Sequence, residues 1–149
     1  MTRHYGYRPV NKVLSISEEK PDKRLAEDLQ LAQGDRVIRI ERLRLHEDAP
    51  ILYCVDYVPR SIIPTRLFDI DWSGSLIALL DTYRNRPRMS AATVSAVLLP
   101  QDVVERHDLG DFGPALLIKE ICFNAAGVPV NYAIDYHRGS HFSFSLTRK

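Results

Sequence analysis

Two arginines placed two residues apart are the first candidates for chemistry in this sequence. Arg42 and Arg44 lie in a strand-like run at 37–45. Side chains two residues apart on a β-strand project from the same face, roughly 7 Å from one another. Two guanidinium groups at that spacing can hold a phosphate or a carboxylate with forked hydrogen bonds. The pair therefore predicts an anion site, provided that both side chains reach a cavity.

The face that carries these arginines also carries Ile38 and Ile40, and this leaves two interpretations open. In the first, both guanidinium groups enter a cavity in the same layer as the core. In the second, a β-bulge reverses the phase of the strand and leaves both arginines in solvent, where charged strand residues usually lie.

A Gly-Ser turn at 72–77 is a second candidate for anion binding. Ser75 is a plausible N-cap for a helix whose apolar residues include Leu76, Leu79 and Leu80. The start of a helix presents free backbone N–H groups and a positive dipole end, which suit an anion. The glycine spacing and the lysine of a phosphate-binding P-loop are absent. The same residues also fit an ordinary capped helix.

A third candidate is the polar face of a strand-like run at 128–136 and just beyond. Asn131, Asp135 and His137 share one face with Ala133, and the opposite face is apolar. The pattern is typical of a half-exposed antiparallel strand whose polar side meets solvent.

The chain also contains an internal duplication. Residues 50–61 match residues 129–140, with the proline, both tyrosines, the aspartate and the final serine in common, at an offset of 79 positions from Pro50 to Pro129. Upstream, a one-residue gap aligns 38–41 with 116–119. Because Asp56 and Asp135 recur in both copies, we predict a structural role for them, such as hydrogen bonds that fix the hairpins, and not a catalytic pair.

Periodicity predicts the elements that position these residues. Helices are expected from Pro21, from Ser75 and from Pro100. Strands are expected at 10–17, 37–45, 51–58, 92–99, 115–123 and 128–136, and the alternation of Phe142, Phe144 and Leu146 predicts a last strand. Sequential hairpins with helices between them predict an α+β fold, with a mostly antiparallel sheet, flanking helices and two related strand-helix-hairpin halves.

Composition narrows the class of protein. The 149 residues are 45% apolar and 26% charged with a formal net charge of +1, as expected for one globular domain without the basic excess of a nucleic-acid binder. No apolar run could span a membrane, and the first residues lack the apolar core of a signal peptide, so a cytoplasmic protein is expected, with Cys54 and Cys122 reduced. Neither metal-ligand spacing nor a nucleophile or nucleotide motif occurs, so we expect no metal, no cofactor and no catalytic residues.

The ordered set of motifs resembles the UTRA domain, the effector-sensing module of the GntR/HutC family of bacterial transcription regulators. The matching segments are 36–45, 49–51, 56–59, 73–76, 127–132, 136–139 and 142–144. The resemblance implies a chorismate lyase-like fold over residues 10–149, with residues 1–9 as a linker remnant. It also implies a homodimer and an upstream winged-helix domain that contacts DNA. No helix-turn-helix fits in the residues before the first expected helix, so the chain would be either a fragment or a stand-alone sensor.

The resemblance also implies a ligand site. Relatives that sense phosphorylated sugars hold the anion with the Arg-x-Arg strand and a Ser-x-Tyr helix start, and here Ile77 replaces that tyrosine. Cys54 and Asn131 replace acidic residues, which disfavours an amino-sugar phosphate, and His137 replaces a common aromatic residue. We therefore expect a small anionic metabolite (phosphorylated, phosphonate or carboxylate) that modulates DNA binding. The expected ligand-binding residues are Arg42, Arg44, Cys54, Ser75, Leu76, Ile77, Asn131 and His137. A chorismate lyase-like enzyme, or a dimerisation module with solvated arginines, are the alternatives.

Overall fold

The computed structural model describes residues 10–149 and shows a single antiparallel sheet with flanking helices. The expected linker remnant at 1–9 lies outside these residues. In chain order, the elements are β1 (Val10–Glu19), α1 (Lys23–Asp28), β2 (Val37–His46), β3 (Ala49–Pro59), α2 (Leu76–Thr82), β4 (Met89–Val97), α3 (Gln101–His107), β5 (Ala115–Phe123) and β6 (Pro129–Arg138). The strands lie in the order β1-β2-β3-β6-β5-β4, and every neighbouring pair is antiparallel. The predicted α+β fold is confirmed.

The two halves predicted from the duplication meet at the centre of the sheet, where β3 pairs with β6. Cys54 lies opposite Asp135, and Asp56 lies opposite Ala133, so the duplicated aspartates are placed symmetrically. Val55 lies opposite its own equivalent, Ile134. A pseudo-twofold axis therefore passes through this pair and relates the strand-helix-hairpin unit of each half to the other.

The symmetric face of the sheet packs against α1 and α3. Two tyrosine pairs, equivalent under the axis, lie at the ends of the β3–β6 ladder, with ring centroids 6.0 Å apart for Tyr53 and Tyr136 and 6.4 Å apart for Tyr57 and Tyr132. Helix α3 packs beside the first pair and α1 beside the second. Packing of these aromatic rings between helix and sheet stabilises this face.

The opposite face is covered asymmetrically, because α2 and the segment that precedes it have no counterpart in the second half. Ile38, Ile40 and Val58 pack there beneath Trp72 and Leu80. This cluster fills one end of the face only. At the other end the same side of the sheet carries polar residues, and the segment before α2 stands above them.

The predicted start of the second helix is confirmed. The Ser75 hydroxyl accepts a hydrogen bond from the N–H of Ala78 at 3.1 Å and caps α2. Helix α1, which was expected from Pro21, is only six residues long. It ends at Asp28 because Gln30 adopts a left-handed conformation with φ 54°, and the N–H of Leu31 bonds back to the carbonyl of Ala26.

The strand predicted from alternation at 142–146 is wrong. A short 3₁₀ turn at Gly139–His141 is followed by irregular chain, and Phe144 and Leu146 are exposed. Alternation of apolar and polar residues indicates an extended segment, but a β-strand also needs a neighbouring strand at the edge of a sheet to pair with. Within residues 10–149 the two outer strands are β1 and β4, and this segment pairs with neither of them.

Candidate functional site

A cavity of about 320 Å³ lies between the sheet and the segment that leads into α2. Its floor is the face of β2, β3, β6 and β5 that continues from the Ile38 cluster. Its wall is formed by Gly74 to Ile77, with Pro87 and Asn11 at the rim. All eight residues expected to bind a ligand line this one cavity: Arg42, Arg44, Cys54, Ser75, Leu76, Ile77, Asn131 and His137.

The strand phase of the two arginines is unbroken from the core to the cavity. Register shifts occur in β1 between Val13 and Ser15 and in the β2–β3 ladder after Arg44, so none lies between Ile38 and Arg44. Arg42 is only 8% exposed, and Arg44 is half-buried. The interpretation in which a bulge turns both arginines into solvent does not hold.

Arg42 joins the floor of the cavity to its wall. Its Nη1 donates to the carbonyls of Trp72 at 3.1 Å and Gly74 at 2.8 Å, and its Nη2 lies 3.5 Å from the carboxylate of Asp56. Its Nε is buried and has no hydrogen-bond partner in the described part of the chain. Most of this guanidinium is therefore already engaged by the protein.

Arg44 is the more available of the two arginines. Its Nε donates to the Asn11 side chain at 3.2 Å, and Asn11 in turn donates to the carbonyl of Ser73 at 3.1 Å. The two terminal nitrogens of Arg44 make no hydrogen bond or ion pair with any residue from 10 to 149. They are the free donors at this end of the cavity.

Three carboxylates also line the cavity: Asp56, Glu120 and Asp135. Asp56 is 5% exposed and accepts hydrogen bonds from Arg42 and, at 3.3 Å, from Asn131. Burial raises the pKa of Asp56, and Arg42 and Asn131 oppose that rise. This hydrogen-bonded ion pair fits the structural role predicted for Asp56.

Asp135 differs from Asp56 in its surroundings. Across residues 10–149, the side chains of Asp135 and Glu120 make no hydrogen bond and no ion pair. Burial raises the pKa of Asp135 to about 7, and the negative charges of Asp56 and Glu120 add to the effect. In the part of the chain that the structure describes, no hydrogen bond to the Asp135 carboxyl group fixes a hairpin, so the structure gives no support to a structural role for it.

The model of the family described as the UTRA domain matches residues 4–143 of the chain. The chain belongs to the UTRA domain family. Among curated relatives, the HTH-type transcriptional regulator GgaR of Escherichia coli K12 is 23% identical over 142 residues, which cover 93% of this chain and 55% of that protein. This UTRA chain thus spans about half the length of the curated relatives it matches.

Solved structures confirm the fold of this UTRA domain. PhnF from Mycobacterium smegmatis superposes with a TM-score of 0.89 at 16% identity, over 99% of this chain and 66% of that one. The C-terminal domain of the histidine utilization repressor from Pseudomonas syringae gives a TM-score of 0.81 at 22% identity, over 95% and 99%. A GntR-family regulator from Enterococcus faecalis gives 0.78 at 26% identity, over 93% and 99%. The resemblance to GntR/HutC effector domains is confirmed.

The remaining groups of this UTRA cavity are neutral near pH 7. Cys54 and Cys122 are free thiols, and burial raises the pKa of each to about 12. They lie on β3 and β5 with β6 between them, too far apart for a disulfide. Burial and the charge of Arg44 lower the pKa of His137, whose ring stacks on Phe142 with centroids 4.1 Å apart.

Sequence reasoning did not assign Glu120 or Asp135 to the site of this UTRA domain. Alternation alone is typical of a half-exposed strand whose polar face, with Asn131 and Asp135, meets solvent, whereas the wall before α2 covers this face. Two features of the sequence point to Glu120 and Asp135. Asp135 shares its strand face with two residues expected in the site, and the duplication aligns Glu120 with Arg42.

In the described residues, no group of three or more His, Cys, Asp or Glu could hold a metal ion, and no helix is long and apolar enough to cross a membrane.

Proposed function

We propose that this chain is the effector-binding and dimerising domain of a cytoplasmic GntR/HutC-type transcription regulator. A small anionic metabolite would bind in the cavity and change the affinity of an upstream winged-helix domain for DNA. The observation that supports this most strongly is the entry of Arg42 and Arg44, on one face of β2, into a cavity large enough for a metabolite.

The two arginines would take different parts in binding. The free terminal nitrogens of Arg44 would contact the anion directly, because they have no other partner in the part of the chain that the structure describes. Arg42 would orient the site by holding the carbonyls of Trp72 and Gly74. The side chains of Cys54, Asn131 and His137 would contact the rest of the ligand, and Ser75, Leu76 and Ile77 would enclose it.

Arg42 also suggests how binding is transmitted. A ligand that competes for its donors would loosen the contact between the floor and the segment before α2. A ligand that left them in place would strengthen that contact. Either change would shift the population of two arrangements of this segment, which is the form that an allosteric signal to a DNA-binding domain must take.

Thermal denaturation with n-propyl phosphate tests the anion site. The ester should raise the melting temperature of the wild-type chain, because a ligand that binds only the folded state stabilises it. Arg44→Ala should remove that rise and leave the melting temperature without ester nearly unchanged. Arg24→Ala, on the exposed side of α1, is the matched control. If Arg44→Ala keeps the full rise, Arg44 is not the anion site.

One observation favours a chorismate lyase-like enzyme as a second candidate. Asp135 faces the cavity and has a pKa of about 7, which suits a general acid or base. The relatives found are transcriptional regulators, so this candidate ranks second. A spectroscopic assay with chorismate tests it, and turnover that Asp135→Asn abolishes would support it.

A further inference from the structure

The pseudo-twofold axis relates the β2–β3 end of the cavity to the β5–β6 end. Residues at one pair of equivalent positions differ in charge. Asp56 and Asp135 are equivalent. Arg42 stands diagonally across the β2–β3 ladder from Asp56, and Glu120 stands in the same place relative to Asp135 across the β5–β6 ladder. Duplication has thus produced two similar sites, one with an arginine beside its aspartate and one with a glutamate.

The charges at the two ends of the cavity do not cancel locally. At the β2 end, Arg42 forms an ion pair with Asp56, and Arg44 is a positive charge that no carboxylate of the described residues pairs with. At the β5–β6 end stand two acidic side chains, Glu120 and Asp135, and no cation from residues 10–149 is paired with them. The cavity therefore has a cationic end and an anionic end.

A small hollow lies at the anionic end, above Ala133. Ala133 is 4% exposed and lines the cavity. Asp56 and Glu120 flank it on the neighbouring strands, and Asn131 and Asp135 flank it on β6. A methyl group leaves the space among these four longer side chains unfilled.

The hollow has unused hydrogen-bond acceptors. Asn131 is 7% exposed, and its Oδ1 is buried with no partner in the described residues, while its Nδ2 donates to Asp56. The carboxyl groups of Glu120 and Asp135 also accept no hydrogen bond from any side chain of residues 10–149. A buried acceptor without a donor is costly, so this end of the cavity suits a group that carries several N–H bonds.

We propose that the hollow above Ala133 binds a primary ammonium group of the effector, which donates to Glu120, Asp135 and the Oδ1 of Asn131. An ammonium group has three donors, which match these three acceptors, and its charge offsets theirs. The effector is then amphoteric, with an anionic group at Arg44 and an amine at the other end. The anionic group at Arg44 rests on the proposed function, whereas the amine site rests on the geometry around Ala133 alone.

The span of the cavity limits the size of such an effector. Arg44 lies on β2 and Asp135 on β6, with only β3 between them, so the two strands are roughly 10 Å apart. Side chains extend from both strands into the space between, and a linker of a few atoms joins the two ends. An amino-sugar phosphate was disfavoured because Cys54 and Asn131 are neutral, but Glu120 and Asp135 supply the negative charge that those positions lack.

Calorimetric titration of the chain with n-propyl phosphate and 3-aminopropyl phosphate tests the amine site. These esters differ only in the terminal amine. In the wild type, the amine should strengthen binding by about 10-fold or more, as expected for charge-assisted hydrogen bonds. In the variant Glu120→Gln/Asp135→Asn, which keeps shape and removes charge, the two esters should bind equally. Glu105→Gln, on the exposed side of α3, is the control and should keep the preference. Equal binding by the wild type would overturn the proposal.

A titration without any anion separates this proposal from the proposed function. Addition of n-propylammonium should shift the backbone amide resonance of Ala133 saturably in a nitrogen-15 NMR spectrum, and propan-1-ol should not. The shift should persist in Arg44→Ala and disappear in Asp135→Asn, and the same spectra report that each variant is folded. If n-propylammonium leaves Ala133 unmoved, the amine site is wrong even where phosphate esters bind. If it binds while phosphate esters do not, the amine site stands and the anion site fails.

Discussion

Asp56 and Asp135 occupy the same place in the two copies of one hairpin, yet they have different chemistry. Asp56 is buried against Arg42 and Asn131 and makes an ion pair. Asp135 faces the cavity, has Glu120 beside it, and has a pKa of about 7. The backbone register around the two is the same under the axis. The difference therefore comes from the neighbours, because Arg42 and Asn131 beside Asp56 are replaced at the equivalent places around Asp135 by Glu120 and Leu52.

This comparison shows how a duplicated sheet can acquire a polar cavity. The duplication fixes the strand order and the face on which each side chain lies, because a shift by one residue would turn every side chain over. It does not fix the charge of the diagonal neighbour. An arginine at 42 and a glutamate at 120 are enough to give the two halves opposite potentials above a common floor.

Removal of Arg42 should lower the stability of the protein more than any other change considered. Arg42→Ala leaves Asp56 buried without its counter-charge, and we expect a loss of roughly 3 kcal/mol in the free energy of unfolding. The double variant Arg42→Met/Asp56→Asn removes both charges and should recover much of that loss. In the second half, Glu120→Ala should cost far less, because it removes a negative charge that repels Asp135 and takes away no counter-charge. Urea denaturation at pH 7 measures all three. Equal losses for Arg42→Ala and Glu120→Ala would contradict the comparison.

The parts of this site that could be predicted from the sequence are those set within one strand or one turn. Alternation places Arg42 and Arg44 on the face of Ile38, and local hydrogen-bonding capacity makes Ser75 a cap. Both follow from residues close together in the chain.

Glu120 and Asp135 could not be placed in the same way. Their position depends on which strands flank β6 and on the wall from a distant segment, and no local pattern contains that information. The false strand at 142–146 has the same cause, because a strand exists only with a partner, and alternation says nothing of partners.

Conversion of the second half into a copy of the first should sharpen the comparison. In Glu120→Arg, the new guanidinium stands beside Asp135 as Arg42 stands beside Asp56. The pKa of Asp135 should fall well below 7, with a gain in stability at pH 8 of roughly 1–2 kcal/mol. Carbon-13 titration of the Asp135 carboxyl group measures the pKa. Glu105→Arg is the control and should leave it near 7. A carboxyl group that still titrates near 7 in Glu120→Arg would show that its neighbour on β5 does not set its charge.

The pH dependence of Asp135→Asn should give the smallest effect. Burial and nearby charge raise the pKa of Asp135 from 3.8 to about 7, so the folded state holds this proton more tightly than the unfolded state. The associated stability is present below pH 3.8, is lost as the pH rises, and is gone above pH 7. Asparagine does not titrate, so the stability of Asp135→Asn relative to the wild type should rise between pH 3.8 and pH 7. The gain should level off above pH 7 at about 1 kcal/mol, because the carboxylate is only half-buried.

The other groups that face Asp135 decide how cleanly this is observed. Those groups are Arg42, Arg44, Cys54, Asp56, Glu120 and His137. Burial raises the pKa of the Cys54 thiol to about 12, so this thiol does not titrate between pH 4 and 8. Asp56 and Glu120 raise the pKa of Asp135, so the difference curve reports Asp135 together with its coupling to these two carboxyl groups. Asp111→Asn, whose side chain is 84% exposed, should give a flat difference curve. A flat curve for Asp135→Asn would mean that the duplicated aspartates behave alike, and that the second half of the cavity carries no excess negative charge.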